Sequence, residues 1–170
     1  MMTYNLYYLD EDPSKNASSY CDKHVVSCIV PLARLLSCSH HIKNVPWKKG
    51  LYNYITIHDS YYYRIDDKSS FTYHLELLIS LLSEYKKRYN KIHRTNRLIP
   101  LLSKKVSWNT DSGKYIVRPR RNSLYHVDEP VKSHRRHYAM YVIPYEKYTN
   151  ADVPSWASDD YYGIRTTRTY

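Results

Sequence analysis

Phe71, Leu75, Leu78, Leu82, Tyr85, Tyr89 and Ile92 recur at alternating steps of four and three, which lays one apolar stripe along a helix of about seven turns. The spacing predicts the central helix of the fold, capped by Ser69 or Ser70. Val25, Val26, Ile29, Leu32, Leu35 and Leu36 follow the same rhythm. They predict a second helix, opened by Asp22, running to residue 39 and bent at Pro31. Asp12 before Pro13 opens a short helix over residues 13–20, because proline at the first helical position loses no bond. Asp128 and Pro130 repeat that logic for a last helix with Val131, Tyr138, Tyr141 and Val142 turned inward. Residues 40–68 are mixed and interrupted by Pro46 and Gly50, and read as loop with short strand or helical pieces. Residues 98–102 form an apolar hinge around Pro100, and residues 104–125 are polar and basic, an extended arm or small β hairpin. Trp156 in the tail is expected to dock on the helices. The pattern predicts a mainly α, compact helical single domain with irregular loops, which 170 residues suffice to build.

Charge sharpens this picture. The chain carries 26 Lys and Arg against 16 Asp and Glu, a formal net charge of +10, with a pI near 9.4. An excess of cations favours a polyanionic partner. No run of about 18 apolar residues and no basic, apolar, small-residue leader pattern is present, so nucleic acid is expected ahead of a membrane. Only three glycines occur, too few for a glycine-rich phosphate loop of the nucleotide-hydrolysing or dinucleotide-binding kind. The aromatic content is 21 Tyr against one Phe and three Trp. Tyrosines can stack on unpaired bases, and Tyr-rich composition also follows from AT-rich codon usage.

The cations fall in three groups. Lys87, Lys91 and Arg94 are spaced i, i+4 and i+7 and continue toward Arg97, either a solvated helix face or one that contacts phosphates. Arg118, Arg120 and Arg121 flank Pro119 in the basic arm, where they can track a phosphate backbone. Lys132, Arg135 and Arg136 share the outer side of the last helix. Lys23 and His24 at the start of the second helix, with Tyr138 and Trp47 as stacking residues, complete the candidate nucleic-acid contacts. For Asp22 and His24 the favoured reading is local, Asp22 capping the helix and His24 pairing with it. Cys21, Cys28 and Cys38 lack the tight pairs of a zinc site, although Cys21, His24 and Cys28 could share a helix face. Core thiols are the better reading, and neither metal nor cofactor is expected.

In order and spacing, "LDEDP", "CDKHVV", "LLSEYKKRYNKIHRTNRLIPLL" and "EPVKSHRRHYAMYVIPYEKYTNADVPSWA" resemble a family of small phage-encoded proteins, over about two thirds of the chain. The matching residues are Asp12, Pro13, Asp22, Lys23, His24, Glu84, Tyr85, Arg88, Tyr89, Lys91, His93, Pro154 and Trp156. More distantly, the Asp-x-His helix opening is similar to phage-type pyrimidine-dimer DNA glycosylases, which have a helical, endonuclease V-like fold. The resemblance implies a glycosylase-like scaffold, an N-terminal amine as nucleophile and a Glu seven residues after the His. That place is held here by Pro31, which can neither carry a proton nor stabilise a cation. Met2 is bulky enough to leave Met1 in place, which argues against a small N-terminal nucleophile.

The expectation is therefore a non-catalytic phage protein in the cytoplasm of the infected bacterial host, binding nucleic acid with RNA favoured and DNA as the alternative. A glycosylase or lyase with Glu76 or Asp22 as relocated carboxylate, and a phage structural or assembly protein contacting other phage proteins, are the rivals.

Overall fold

A computed structural model of the chain describes residues 6–42, 65, 67–115, 129–143 and 147–157. Within them the protein is helical and no strand occurs. The helices are α1 (Pro13–Ser18), α2 (Asp22–Ile42), α3 (Lys68–Tyr89), α4 (Ile99–Leu102) and α5 (Pro130–Tyr141), with 3-10 turns at Arg94–Leu98 and Ser155–Ala157. No helix among the described residues is long and apolar enough to cross a membrane.

Local chemistry sets the helix starts. Asp12 accepts from the Ser14 and Lys15 amides while Pro13 fills the first position of α1. The helix stops at Ser18, short of the expected residue 20, and Tyr20 turns into the core. Its hydroxyl donates to the Tyr7 carbonyl (2.6 Å) and accepts the Tyr7 amide (2.9 Å). Asn16 likewise accepts the Leu9 amide at 2.9 Å. Backbone groups of the buried Tyr7 and Leu9 thus find side-chain partners.

α2 runs through Pro31 to Ile42, three residues beyond the predicted end. The proline withholds one i→i−4 bond without ending the helix. Val25, Cys28, Ile29, Leu32, Leu35 and Leu36 form its buried face. Cys21 and Cys28 are free thiols in the core, and burial pushes the Cys28 thiol up to about 12, which leaves it unreactive.

α3 packs against α1 and α2 as the expected spine. Its cap is Asp67, which accepts the Ser70 amide at 2.6 Å, and not Ser69 or Ser70. It ends at Tyr89 because Asn90 adopts the left-handed conformation at φ 51°. Ile92 therefore lies beyond the helix and is 72% exposed, in contrast to its expected place in the apolar stripe. The inward face runs through Phe71, His74, Leu78, Leu81, Leu82 and Arg88.

α5 begins at Pro130 as expected, and the proposed cap Asp128 lies outside the described residues. Tyr138 and Val142 are buried, but Tyr141 is half exposed, and Ser133, His134 and Ala139 take the inward places. Trp156 docks against this helix, 6.3 Å from the Tyr138 ring, and its indole N–H donates to Ser19 Oγ.

Candidate nucleic-acid interface

Three clasps account for much of the charge and polarity near α2 and α5. Arg88 has a fully buried side chain. Its guanidinium donates to the carbonyls of Tyr20 (2.7 Å) and Ser18 (3.1 Å) and to the carboxylates of Asp22 (3.1 Å) and Glu84 (3.0 Å). The other Asp22 oxygen accepts the backbone amides of Thr149 (2.9 Å) and Asn150 (3.1 Å). Asp22 therefore ties α3 and the tail to the start of α2. It neither caps α2 through its carboxylate nor pairs with His24.

His24 belongs to a second clasp. Its Nδ1 lies 3.0 Å from the Tyr138 hydroxyl, which also accepts the Cys21 amide at 2.8 Å. Tyr138 is 0% exposed, so a stacking role on a base is corrected: its ring packs edge-on against Tyr7 at 4.8 Å. Burial holds the Tyr138 phenol far above its ordinary range, so it stays protonated. The third clasp is Arg135, which donates to the Leu9 carbonyl and to Asp10 (3.0 Å) and lies 5.3 Å from the Trp156 ring centre. Its charge serves the fold, so the expected outer face of Lys132, Arg135 and Arg136 does not form as a row of exposed cations. Lys132 is exposed and pairs with Glu129 at 2.6 Å, and Arg136 is half-buried.

Lys87, Lys91, Arg94 and Arg97 lie at the far end of α3 and in the segment that follows it. Lys87 is exposed, 3.7 Å from Glu84. Lys91, Arg94 and Arg97 are exposed as well. They do not extend a helical ladder, since Asn90 ends α3 before Lys91. Arg94 and Arg97 instead sit three apart in the 3-10 turn, where i and i+3 eclipse, so they share its outer side while Thr95 and Leu98 face the core. Lys23 is exposed on the first turn of α2. Trp47, Arg118, Arg120 and Arg121 lie outside the described residues.

Several residues that the sequence reading passed over complete this region. Lys86, Lys104 and Lys105 are exposed. Residues 85–110 contain eight Lys and Arg and no Asp or Glu, and only Arg88 among the eight is buried. That acid-free run was a signal visible in the sequence. Along the same edge lies an aromatic ladder: Tyr85 to Tyr89, 5.0 Å between ring centres, and Tyr85 to His93, 5.1 Å and edge-on. All three rings are half-buried, and the Tyr89 hydroxyl is anchored by donating to the Asp22 carbonyl. His93 Nδ1 accepts the Thr95 amide at 3.2 Å, which caps the 3-10 turn and puts the neutral ring's proton on Nε2. Burial, reinforced by Arg94, holds the His93 pKa below its ordinary value. Beside the ladder is a cleft of about 150 Å³ lined by Leu82, Lys86, Ile92, His93 and Asn96.

No group of three or more His, Cys, Asp or Glu residues placed to hold a metal occurs among the described residues. What this edge offers is electrostatic attraction and flat aromatic surface. No known protein family, curated protein or solved structure matches the chain.

Proposed function

We propose that the protein binds single-stranded nucleic acid without chemistry, RNA in preference to DNA, along the edge formed by the end of α3 and the 3-10 turn. The observation that carries this reading is the coincidence of an acid-free cationic run with the Tyr85, Tyr89 and His93 ladder. Lys86, Lys87, Lys91, Arg94 and Arg97 neutralise phosphates, and the half-buried rings offer faces to unpaired bases. Paired bases present no free face to such rings, which favours single strands, and RNA is the commonest of these. On the strength of the motif resemblance, the setting is the cytoplasm of a phage-infected bacterium.

Titration of RNA, single-stranded DNA and duplex DNA at two salt concentrations tests the proposal. Tightest binding to RNA and a steep loss of affinity with salt are expected. A salt slope near zero would reject it. The glycosylase or lyase rival loses one of its two candidate carboxylates, because Asp22 is held by Arg88, Thr149 and Asn150; Glu76 is exposed on α3. A borohydride-trapped adduct on abasic DNA would support that rival. A chain that binds no nucleic acid at low salt and co-sediments with phage particles would support an assembly role.

A further inference from the structure

We infer that the cleft between α3 and the 3-10 turn is a pocket for one unpaired base, with adenine preferred. The inference rests on the proposed single-strand binding and adds sequence selectivity to it.

Ile92 starts the argument. It is 72% exposed on a surface that is otherwise cationic, where an aliphatic side chain gains nothing from water. Together with Leu82 it gives the cleft its apolar lining, and Lys86, His93 and Asn96 supply the polar groups. A volume of about 150 Å³ is that of a cavity which accepts one benzene-sized ring, room for one ring of a purine with its second ring at the opening. The occupant is thus a single planar group. Lys86 in the lining and Arg94, whose charge acts on His93, call for an anion attached to that group, as in a nucleotide.

Base identity follows from the polar groups. Asn96 is exposed, and its side-chain amide forms no hydrogen bond among the described residues; its backbone is engaged instead, the N–H donating to the His93 carbonyl and the carbonyl accepting the Ile99 amide. A free amide presents a donor and an acceptor side by side. That pair matches adenine N7 and N6 in the bidentate contact typical of Asn. The capping bond from Thr95 keeps His93 Nδ1 as acceptor, so the neutral ring adds a second donor at Nε2. His93 also joins the cleft to the Tyr85 and Tyr89 ladder, so a base in the cleft and a neighbour on the rings belong to one strand.

The test compares labelled oligo(A), oligo(U) and oligo(C) RNA of equal length on the intact protein and on Asn96→Ala and Ile92→Ser, at two salt concentrations. The wild type is expected to prefer oligo(A) by about tenfold. Asn96→Ala should level the three affinities while keeping the salt slope, and Ile92→Ser should weaken all three. Both residues are exposed, and matching thermal melts will show that the variants fold. Equal wild-type affinity for the three tracts, with a steep salt slope, overturns the adenine pocket and leaves single-strand binding standing. Retention of the preference by Asn96→Ala overturns the assignment of its amide. Absence of binding to every tract overturns both readings.

Discussion

Lys87 and Arg88 are neighbours on α3, and their side chains meet opposite conditions. Lys87 stands in solvent, whereas Arg88 is enclosed, with two carbonyls and two carboxylates around its guanidinium. The contrast extends to whole regions. Around Arg88, Asp22 and Arg135, charge holds chain segments together, whereas the other Lys and Arg residues of 86–105 are exposed to water. Net charge therefore overstates what is available to a ligand, and position in the fold decides which cations remain. The sharpest way to break the comparison is at Arg88. Replacing it by Met leaves Asp22 and Glu84 without their shared cation in a largely dry site, and should cost about 3–5 kcal/mol, measured by chemical denaturation. A loss below about 1 kcal/mol would mean that Arg88 behaves like a surface residue.

Two histidines repeat the contrast. His93 lies at the edge, and His74 is buried on α3, where Nδ1–H donates to the Ser70 carbonyl (2.6 Å) and Nε2 accepts the Tyr8 hydroxyl (2.7 Å). Burial drives His74 down to about 4 from its ordinary 6.5, against a smaller opposing effect of the Ser70 bond. The folded state therefore prefers the neutral ring. Stability from this group is intact above pH 6.5 and is lost as pH falls toward 4, by about 3 kcal/mol in all. Denaturant midpoints between pH 7 and pH 4 measure it. His74→Gln should flatten that slope, since its amide oxygen can still accept from Tyr8 but does not titrate.

Local signals were legible in the sequence and tertiary ones were not. Asp12 and Pro13 start α1 through bonds within four residues, so the pair alone predicts them. The apolar rhythm found α2 and α3, but ran on past Asn90 to Ile92 because periodicity carries no stop signal. The asparagine itself was the available hint. The burial of Arg88 follows from carbonyls some seventy residues away, so within "YKKRY" it reads like any surface cation, with only Glu84 four residues earlier as a clue. The inward place of Tyr138 on α5 is legible from the spacing, and only its stacking role fails, because its partners Cys21 and His24 are distant in sequence. On the candidate interface, Lys87, Lys91, Arg94 and Arg97 were legible as exposed cations. The ladder was not, because Tyr85 and Tyr89 were assigned to the core stripe and are half-buried at its margin.

Arg135 and the Lys91, Arg94 and Arg97 group provide the closest test of the division, since all were expected to contact phosphate. Arg135→Ala removes bonds to Asp10 and the Leu9 carbonyl and a contact with Trp156. It should cost about 2 kcal/mol of stability and leave the salt slope of binding unchanged.

The triple variant Lys91→Ala, Arg94→Ala, Arg97→Ala has the smallest expected effect on stability, within about 0.5 kcal/mol per site, because exposed residues that form no ion pair among the described residues lose little on truncation. Removing three like charges relieves some mutual repulsion and offsets part of even that loss. Its effect on binding runs the other way. Each phosphate contact on a single strand contributes about 0.7 to the slope of log affinity against log salt, so the slope should fall in magnitude by about 2. Melting curves and titrations on the same preparations give both quantities. If the triple variant melts early and binds with an unaltered slope while Arg135→Ala does the reverse, the roles of the two regions are exchanged, and phosphate contact would have to be assigned to the α5 side of the molecule.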